Sequence, residues 1–222
     1  EEKATLSHII QNQKNMSSMD KKQILEDVYT LIAELWCNPL DSDVKEKDKE
    51  EVVKRLAIID KKSAKLLSTF LVEQAISEED YIDLFELDPQ CPLYLGSHTY
   101  DEPQTCANSA VSDRNEYMIE LIGIYGHFGQ KPNGMELPDY LPLMVGFLSL
   151  TVDSENDSVR EKFISEYLLP FFPPLRSRLD ELKTPYLYLF DALERIINIE
   201  LSAEPISAKQ KQQTQQGESY VG

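Results

Sequence analysis

The residues of this chain best suited to nucleophilic attack, proton transfer or metal binding are three cysteines, Cys37, Cys91 and Cys106, and three histidines, His8, His98 and His127. Cys91, His98 and Cys106 share one stretch, with six and seven residues between them. Those spacings match no common zinc pattern, and no fourth ligand stands beside them. Cys106 with His98 is a thiol–imidazole pair close in sequence, and a small hydrolase built on it is one reading of the chain. His127 falls at a predicted helix end, where an imidazolium complements the dipole. His8 lies in a polar N-terminal stretch. Phosphate-cradling, dinucleotide and nucleophile-elbow patterns are absent, and the glycines of "LIGIYGHFG" sit inside or at the end of a helix. The sequence therefore assigns no catalytic residue, no metal and no cofactor.

Binding chemistry is better represented. Two breaks, residues 90–105 and 130–137, flank one predicted helix, and the first is rich in aromatic, proline and acidic residues. The first, "QCPLYLGSHTYDEPQT", is long enough to suggest a function beyond connection. The second opens into "MELPDYLPLMVGFLSL", residues 135–150. Pro138 and Asp139 read as the start of a helix, with Asp139 as its cap and Pro142 tolerated in the first turn. The body of that helix is apolar nearly all round, so it runs through a core or lines a groove. Leu143 and Met144, near its mouth, are placed to line a groove for an amphipathic peptide helix.

The elements that hold these breaks are helices. Ile24, Leu25, Val28, Leu31, Ile32 and Leu35 recur at helical spacing, with Asp20 as a cap and Pro39 as a stop. Residues 41–60 form a charged helix with a thin apolar stripe, and 61–76 a third, amphipathic one. Ser77 and Asp80 are spaced as a capping box. In residues 113–129, Met118, Leu121, Ile122, Tyr125 and Phe128 share a face, and Gly129 ends the helix. Pro170, Pro173 and Pro174 mark a corner between later helices, and Thr184 with Pro185 heads the last. The expected fold is all-α, a single-domain compact bundle of roughly eight to ten helices over 20–203. Residues 1–19 read as a flexible segment without signal-peptide character, and 204–222 as a disordered, Gln-rich tail.

The formal net charge is -17, with a pI near 4.6. Phosphate backbones and anionic membranes are repelled by such a chain, and a basic partner segment is attracted. An odd cysteine count without close spacing argues for reduced thiols and a reducing compartment. No window is long and apolar enough to span a membrane.

The stretches "YIDLFELDPQCPLYLGSHTYDEP" and "YMIELIGIYGHFGQKPNGMELPDYLPLMVGFLSL" resemble the delta subunit of respiratory nitrate reductases and the wider TorD-like group. These are cytoplasmic, all-α assembly chaperones for molybdenum enzymes. The likeness is to the branch serving type II enzymes of the dimethyl sulfoxide reductase family, and its signature portions cover about residues 80–150. "ELPDYLP" is similar to that family's E-x-P-D-H-x-P: Glu136, Pro138, Asp139 and Pro142 match, and Tyr140 replaces the usual histidine. The resemblance implies a non-enzyme. It would bind the N-terminal peptide of a molybdopterin-containing catalytic subunit and hold it for cofactor insertion, before export or membrane attachment. It implies a peptide rim in which Tyr94, Leu137, Tyr140, Leu143 and Met144 give apolar contact. Glu102, Glu136 and Asp139 would engage basic groups or cap the helix, and His98 and Pro138 complete the set. Monomer and dimer both remain open. The alternative is a general helical adaptor for another amphipathic helix.

Overall fold

The structure, a computed structural model, describes residues 18–40, 45–73, 77–100 and 112–202. Within these, helix α1 spans Ser18–Leu35, α2 Glu46–Ile59, α3 Lys61–Glu73, α4 Glu78–Phe85 and α5 Asp113–His127. They are followed by α6 Leu141–Leu150, α7 Ser158–Lys162, α8 Phe172–Leu182 and α9 Tyr186–Ser202. Among the described residues the fold is all-α, and the one β-type feature is an isolated antiparallel bridge between Tyr94 and Tyr140. Glu102 and Cys106 lie outside the described residues, as do residues 1–17 and 203–222.

Helix α1 buries the expected stripe from Ile24 to Leu35 and adds Tyr29, with Trp36 buried just past its end. Its start is at Ser18, so Asp20 sits within the first turn, where its charge suits the dipole, and does not act as the N-cap. The helix also ends at Leu35, before Pro39. Helix α2 is as thinly apolar as its sequence suggests, with Leu56 its one fully buried residue. Asp60 closes α2 and opens α3: its amide donates to the Leu56 carbonyl at 2.8 Å, and its Oδ2 accepts the Ser63 amide at 2.7 Å. The Ser77–Asp80 capping box at α4 forms as the spacing predicts.

Two expectations change. Helix α5 buries Tyr117, Leu121, Ile124 and Tyr125, whereas Ile122 is 53% exposed. Apolar residues lie on two adjacent faces of α5, and the neighbouring helices cover the face carrying Tyr117 and Ile124. The prolines at 170, 173 and 174 fall in successive helical turns and not in a loop. Residues 163–168 form a π-type turn, 169–171 a tighter 3-10 turn, and α8 follows with prolines in its first turn. A first-turn proline gives up an amide that has no helical partner in any case. Gly129 does end α5, with φ of 70° in the left-handed region, and the Gln130 amide reaches back to the Tyr125 carbonyl at 2.9 Å. The Thr184 carbonyl accepts the Leu187 amide at the head of α9.

Helix α6 packs along α1, and α9 along α3, with α2 resting on both α1 and α3. An aromatic cluster of Trp36, Phe70, Tyr81, Phe85 and Tyr186 fills one end of the core. A polar strut crosses the other. Arg160 is 2% exposed, pairs with Glu200, and donates to Thr151 Oγ1 at 3.1 Å; Tyr29 donates to Glu200 Oε2 at 2.5 Å. The strut ties α1, α7 and α9 to the end of α6.

Candidate functional site

The two breaks flanking α5 are bound to each other. The Leu95 amide donates to the Asp139 carbonyl at 3.0 Å, and the Leu141 amide donates to the Leu93 carbonyl at 2.8 Å. A third bond comes from the Gly96 amide to Asp139 Oδ2, at 2.9 Å. Gly96 lies in the short 3-10 turn Leu95–His98, and its lack of a side chain is what lets the carboxylate approach. Asp139 therefore does not cap α6. Tyr140 occupies the N-cap position without a side-chain cap bond, and Pro142 lies in the first turn. The carboxylate crosses to the other break instead.

Asp139 is fully buried, and its Oδ1 has no hydrogen-bond partner among the described residues. Burial pushes its carboxyl above the usual range, opposed by the Gly96 amide and the nearby Arg114 guanidinium. Beneath it, the Tyr125 hydroxyl donates to the Pro138 carbonyl at 2.7 Å, so Pro138 is pinned from the core side.

The outer layer of this clasp is aromatic. The rings of Tyr94 and Tyr140 lie 5.4 Å apart, and the Tyr94 hydroxyl donates to Glu136 Oε2 at 2.5 Å. Burial and the Glu136 carboxylate push the Tyr94 hydroxyl up to about 12. Tyr140 turns its hydroxyl inward towards that of Tyr81, and burial raises it too. Tyr94, Glu136 and Tyr140 are half-buried, and Leu137 is 47% exposed. These four form an accessible mouth. Pro138, Asp139 and Met144 lie behind it in the interior and touch no solvent-side ligand in this conformation.

Two candidates part from that mouth. The His98 ring bonds through Nε2 to the Pro92 carbonyl at 2.7 Å and lines a separate depression with Ser97, Pro174 and Arg178. Burial lowers its basicity, so Nε2 carries the single proton and donates it to that carbonyl. Leu143 faces a groove of about 400 Å³ between α1 and α6. Thr30, Ala33 and Glu34 form one wall, Leu143, Gly146, Phe147 and Leu150 the other, and the loop at 130–132 closes one end beside Tyr125. The floor exists because two small residues, Ala33 and Gly146, face each other across packed helices. A Cβ added to Gly146 would meet nothing within 4 Å. The residues expected at the site included none from α1, so this wall was not foreseen. Its only sequence signal was the small residue Ala33 beside the buried stripe.

Cys91 is fully buried, and desolvation pushes its thiol up to about 12, so it holds its proton at neutral pH and is a poor nucleophile. Among the described residues no group of three or more His, Cys, Asp or Glu side chains is arranged to hold a metal ion. Likewise no described helix is long and apolar enough to cross a membrane. What the described surface offers is a mouth of tyrosines and a carboxylate and an apolar groove; Tyr125 lines the groove and bonds to Pro138 behind the mouth.

No protein-family model matches the chain. Among curated proteins, it is 28% identical over 130 residues to the probable nitrate reductase molybdenum cofactor assembly chaperone NarW of Escherichia coli K12, covering 59% of this chain and 51% of that protein. It is 26% identical over 134 residues to the nitrate reductase molybdenum cofactor assembly chaperone NarJ of the same strain, covering 60% of this chain and 51% of NarJ. NarJ of E. coli O157:H7 gives the same values. The match thus spans about half the length of these curated relatives. With an all-α fold among the described residues and 26–28% identity over some 60% of its length, the chain is similar to the NarJ-type nitrate reductase molybdenum cofactor assembly chaperones.

Proposed function

We propose that this protein is a cytoplasmic assembly chaperone for a molybdopterin-containing catalytic subunit of the nitrate reductase or nitrite oxidoreductase kind. It binds the N-terminal peptide of that subunit and keeps the subunit open to cofactor insertion before export or membrane attachment. The relatives' stated role supports the class of client. The observation that carries the binding mode is the groove between α1 and α6. Leu143, Gly146 and Leu150 line it at helical spacing, and Leu150 is 68% exposed. Such a trough accepts the apolar face of an amphipathic helix. Glu34 on one wall and Glu136 at the mouth supply carboxylates for basic residues of the peptide, and a net charge of -17 favours their approach.

In this reading Tyr94, Leu137 and Tyr140 meet the end of the peptide helix and Leu143 its apolar face. Asp139, Pro138 and Met144 support that surface from behind. Asp139 holds the two breaks together, which fixes the mouth, and needs no direct contact with the client. Glu102 belongs to the rim by resemblance, and His98 would border it from the adjoining depression.

The test is Gly146→Leu. The side chain enters open groove space, and replacing a helical glycine favours the helix by up to about 1 kcal/mol. Calorimetry with synthetic N-terminal peptides of molybdopterin subunits from the same genome should show binding by the wild type and at least about tenfold weaker binding by the variant. Unaltered affinity in the variant removes the groove from the reading. A wild type that binds none of these peptides, or binds unrelated basic amphipathic helices as tightly, favours a general helical adaptor.

A further inference from the structure

Helix α5 turns part of its apolar content outward. Ile119 is 60% exposed and Ile122 53%, and Gly123 and Gly126 are exposed beside them. Steps of three and four residues return to the same side of a helix, so these four positions form one face. A glycine inside a helix costs stability, and here no described residue requires it. Both glycines lack a positive φ, and a Cβ added to either would meet nothing within 4 Å. Gly129, by contrast, has its reason in a left-handed φ of 70°. Exposed isoleucines beside glycines that the fold itself does not use suit the close approach of a second backbone.

The face is complementary to itself. In an antiparallel pair of identical helices, the register that sets Ile119 of one copy opposite Gly126 of the other also sets Ile122 opposite Gly123. Each isoleucine then fills the space above a glycine, and the two-fold axis repeats both contacts. Charge selects the same direction. The exposed carboxylates Asp113, Glu116 and Glu120 lie in the N-terminal half of α5, whereas His127, held 3.1 Å from Asp157, stands at its C-terminal end. Antiparallel pairing brings Glu116 and Glu120 beside His127 of the second copy and sets the helix dipoles head to tail. Parallel pairing would bring acid against acid.

We propose that the outer face of α5 is a homodimer interface, in which two copies of this chain pair their α5 helices antiparallel about Ile122 and Gly123. The contact is isologous, so it closes at two copies and propagates no further. With 15 residues α5 is about 22 Å long. A contact of that length falls at the small end of specific interfaces, which suits micromolar association. None of the four central residues lines the α1–α6 groove, so the interface stands or falls independently of the peptide reading.

The experiment is sedimentation equilibrium of the full chain, without any peptide, from roughly 1 to 200 μM. The proposal expects a reversible monomer–dimer equilibrium with a micromolar dissociation constant. Ile122→Lys sets a charge over the facing glycine, and Gly123→Leu fills the space that Ile122 enters. Each should weaken association by at least about tenfold. Both positions are exposed in the single chain, so circular dichroism should be unchanged and neither variant should melt appreciably below the wild type. A control, Val72→Lys, alters an 82% exposed residue of α3 and should leave the dissociation constant within about twofold. A wild type that stays monomeric throughout overturns the proposal. So does association that the two α5 variants leave unaltered, or that Val72→Lys weakens equally. Assemblies larger than a dimer overturn the isologous contact.

Discussion

Asp139 and Gly96 meet across forty-three residues of chain: the Gly96 amide donates to Asp139 Oδ2 at 2.9 Å, and a Cβ built on Gly96 would lie 2.8 Å from that same oxygen. The glycine is therefore required by proximity and not by an unusual backbone angle. Gly96→Ala forces apart the two segments that frame the mouth. A loss of about 1–3 kcal/mol in urea unfolding is expected, as for other overpacked sites. Gly123→Ala, where an added Cβ meets nothing within 4 Å, should instead gain up to about 1 kcal/mol.

The buried Asp139 carboxyl gives a pH signature. Its folded-state pKa is raised by burial, while in the unfolded chain it titrates near ~3.9. Between those two values the folded protein binds a proton that the unfolded chain has released. Its contribution to stability therefore grows as pH falls through the folded pKa towards ~4, and is unfavourable above it. Asp139→Asn removes this dependence. Relative to wild type, the variant should be most favoured at pH 7 and progressively less so on acidification, as read from urea midpoints across that range.

Asp60 works in the opposite sense. The Arg195 guanidinium, with the Ser63 amide and hydroxyl, holds its carboxyl well below the usual range. Its stabilising contribution is present above ~4 and is lost as pH drops through the unfolded and then the folded pKa. Arg195→Met should lower stability at pH 7 by about 1–3 kcal/mol. The deficit should narrow below pH ~4, because acid removes the same contribution from the wild type. Denaturant titrations at neutral and acid pH check both parts.

The Arg160–Glu200 pair is 3% and 9% exposed at the side chains. Glu200→Gln leaves the guanidinium buried without its counter-charge and strips Tyr29 of its charged acceptor, so a loss of about 3–5 kcal/mol is expected. The double change Arg160→Met, Glu200→Leu removes both charges and should recover much of it. A double-mutant cycle on unfolding free energies reads the coupling directly.

Glu34 should set charge preference in the groove. Glu34→Lys is expected to weaken a basic client peptide by about tenfold while shifting the melting point by no more than a few degrees, since the residue is partly exposed. A peptide whose basic residues are exchanged for glutamate should regain affinity for the variant, and surface plasmon resonance on the four combinations checks it.

Much of the architecture was legible in the chain. The apolar stripe of α1, the Ser77–Asp80 box, the Gly129 terminus and the first-turn Pro142 all rest on contacts within one turn of helix, which local sequence encodes fully. The outcome differed where two local solutions were equally good. Asp139 beside Pro138 has the chemistry of a cap, yet its carboxylate found an amide in a distant segment. Ile122 and Ile124 are equally apolar, and only the packing of neighbouring helices left one of them outside.

By itself, then, the sequence determined an acidic all-helical chain with two breaks around one helix, because helical period, capping and charge are properties of neighbouring residues. Tertiary structure alone decided that the breaks clasp each other through Leu93, Leu95, Asp139 and Leu141. It also placed Ala33 opposite Gly146 to open a groove. Each of these joins residues far apart in the chain, and such pairings follow from how whole helices pack and not from the residues on either side.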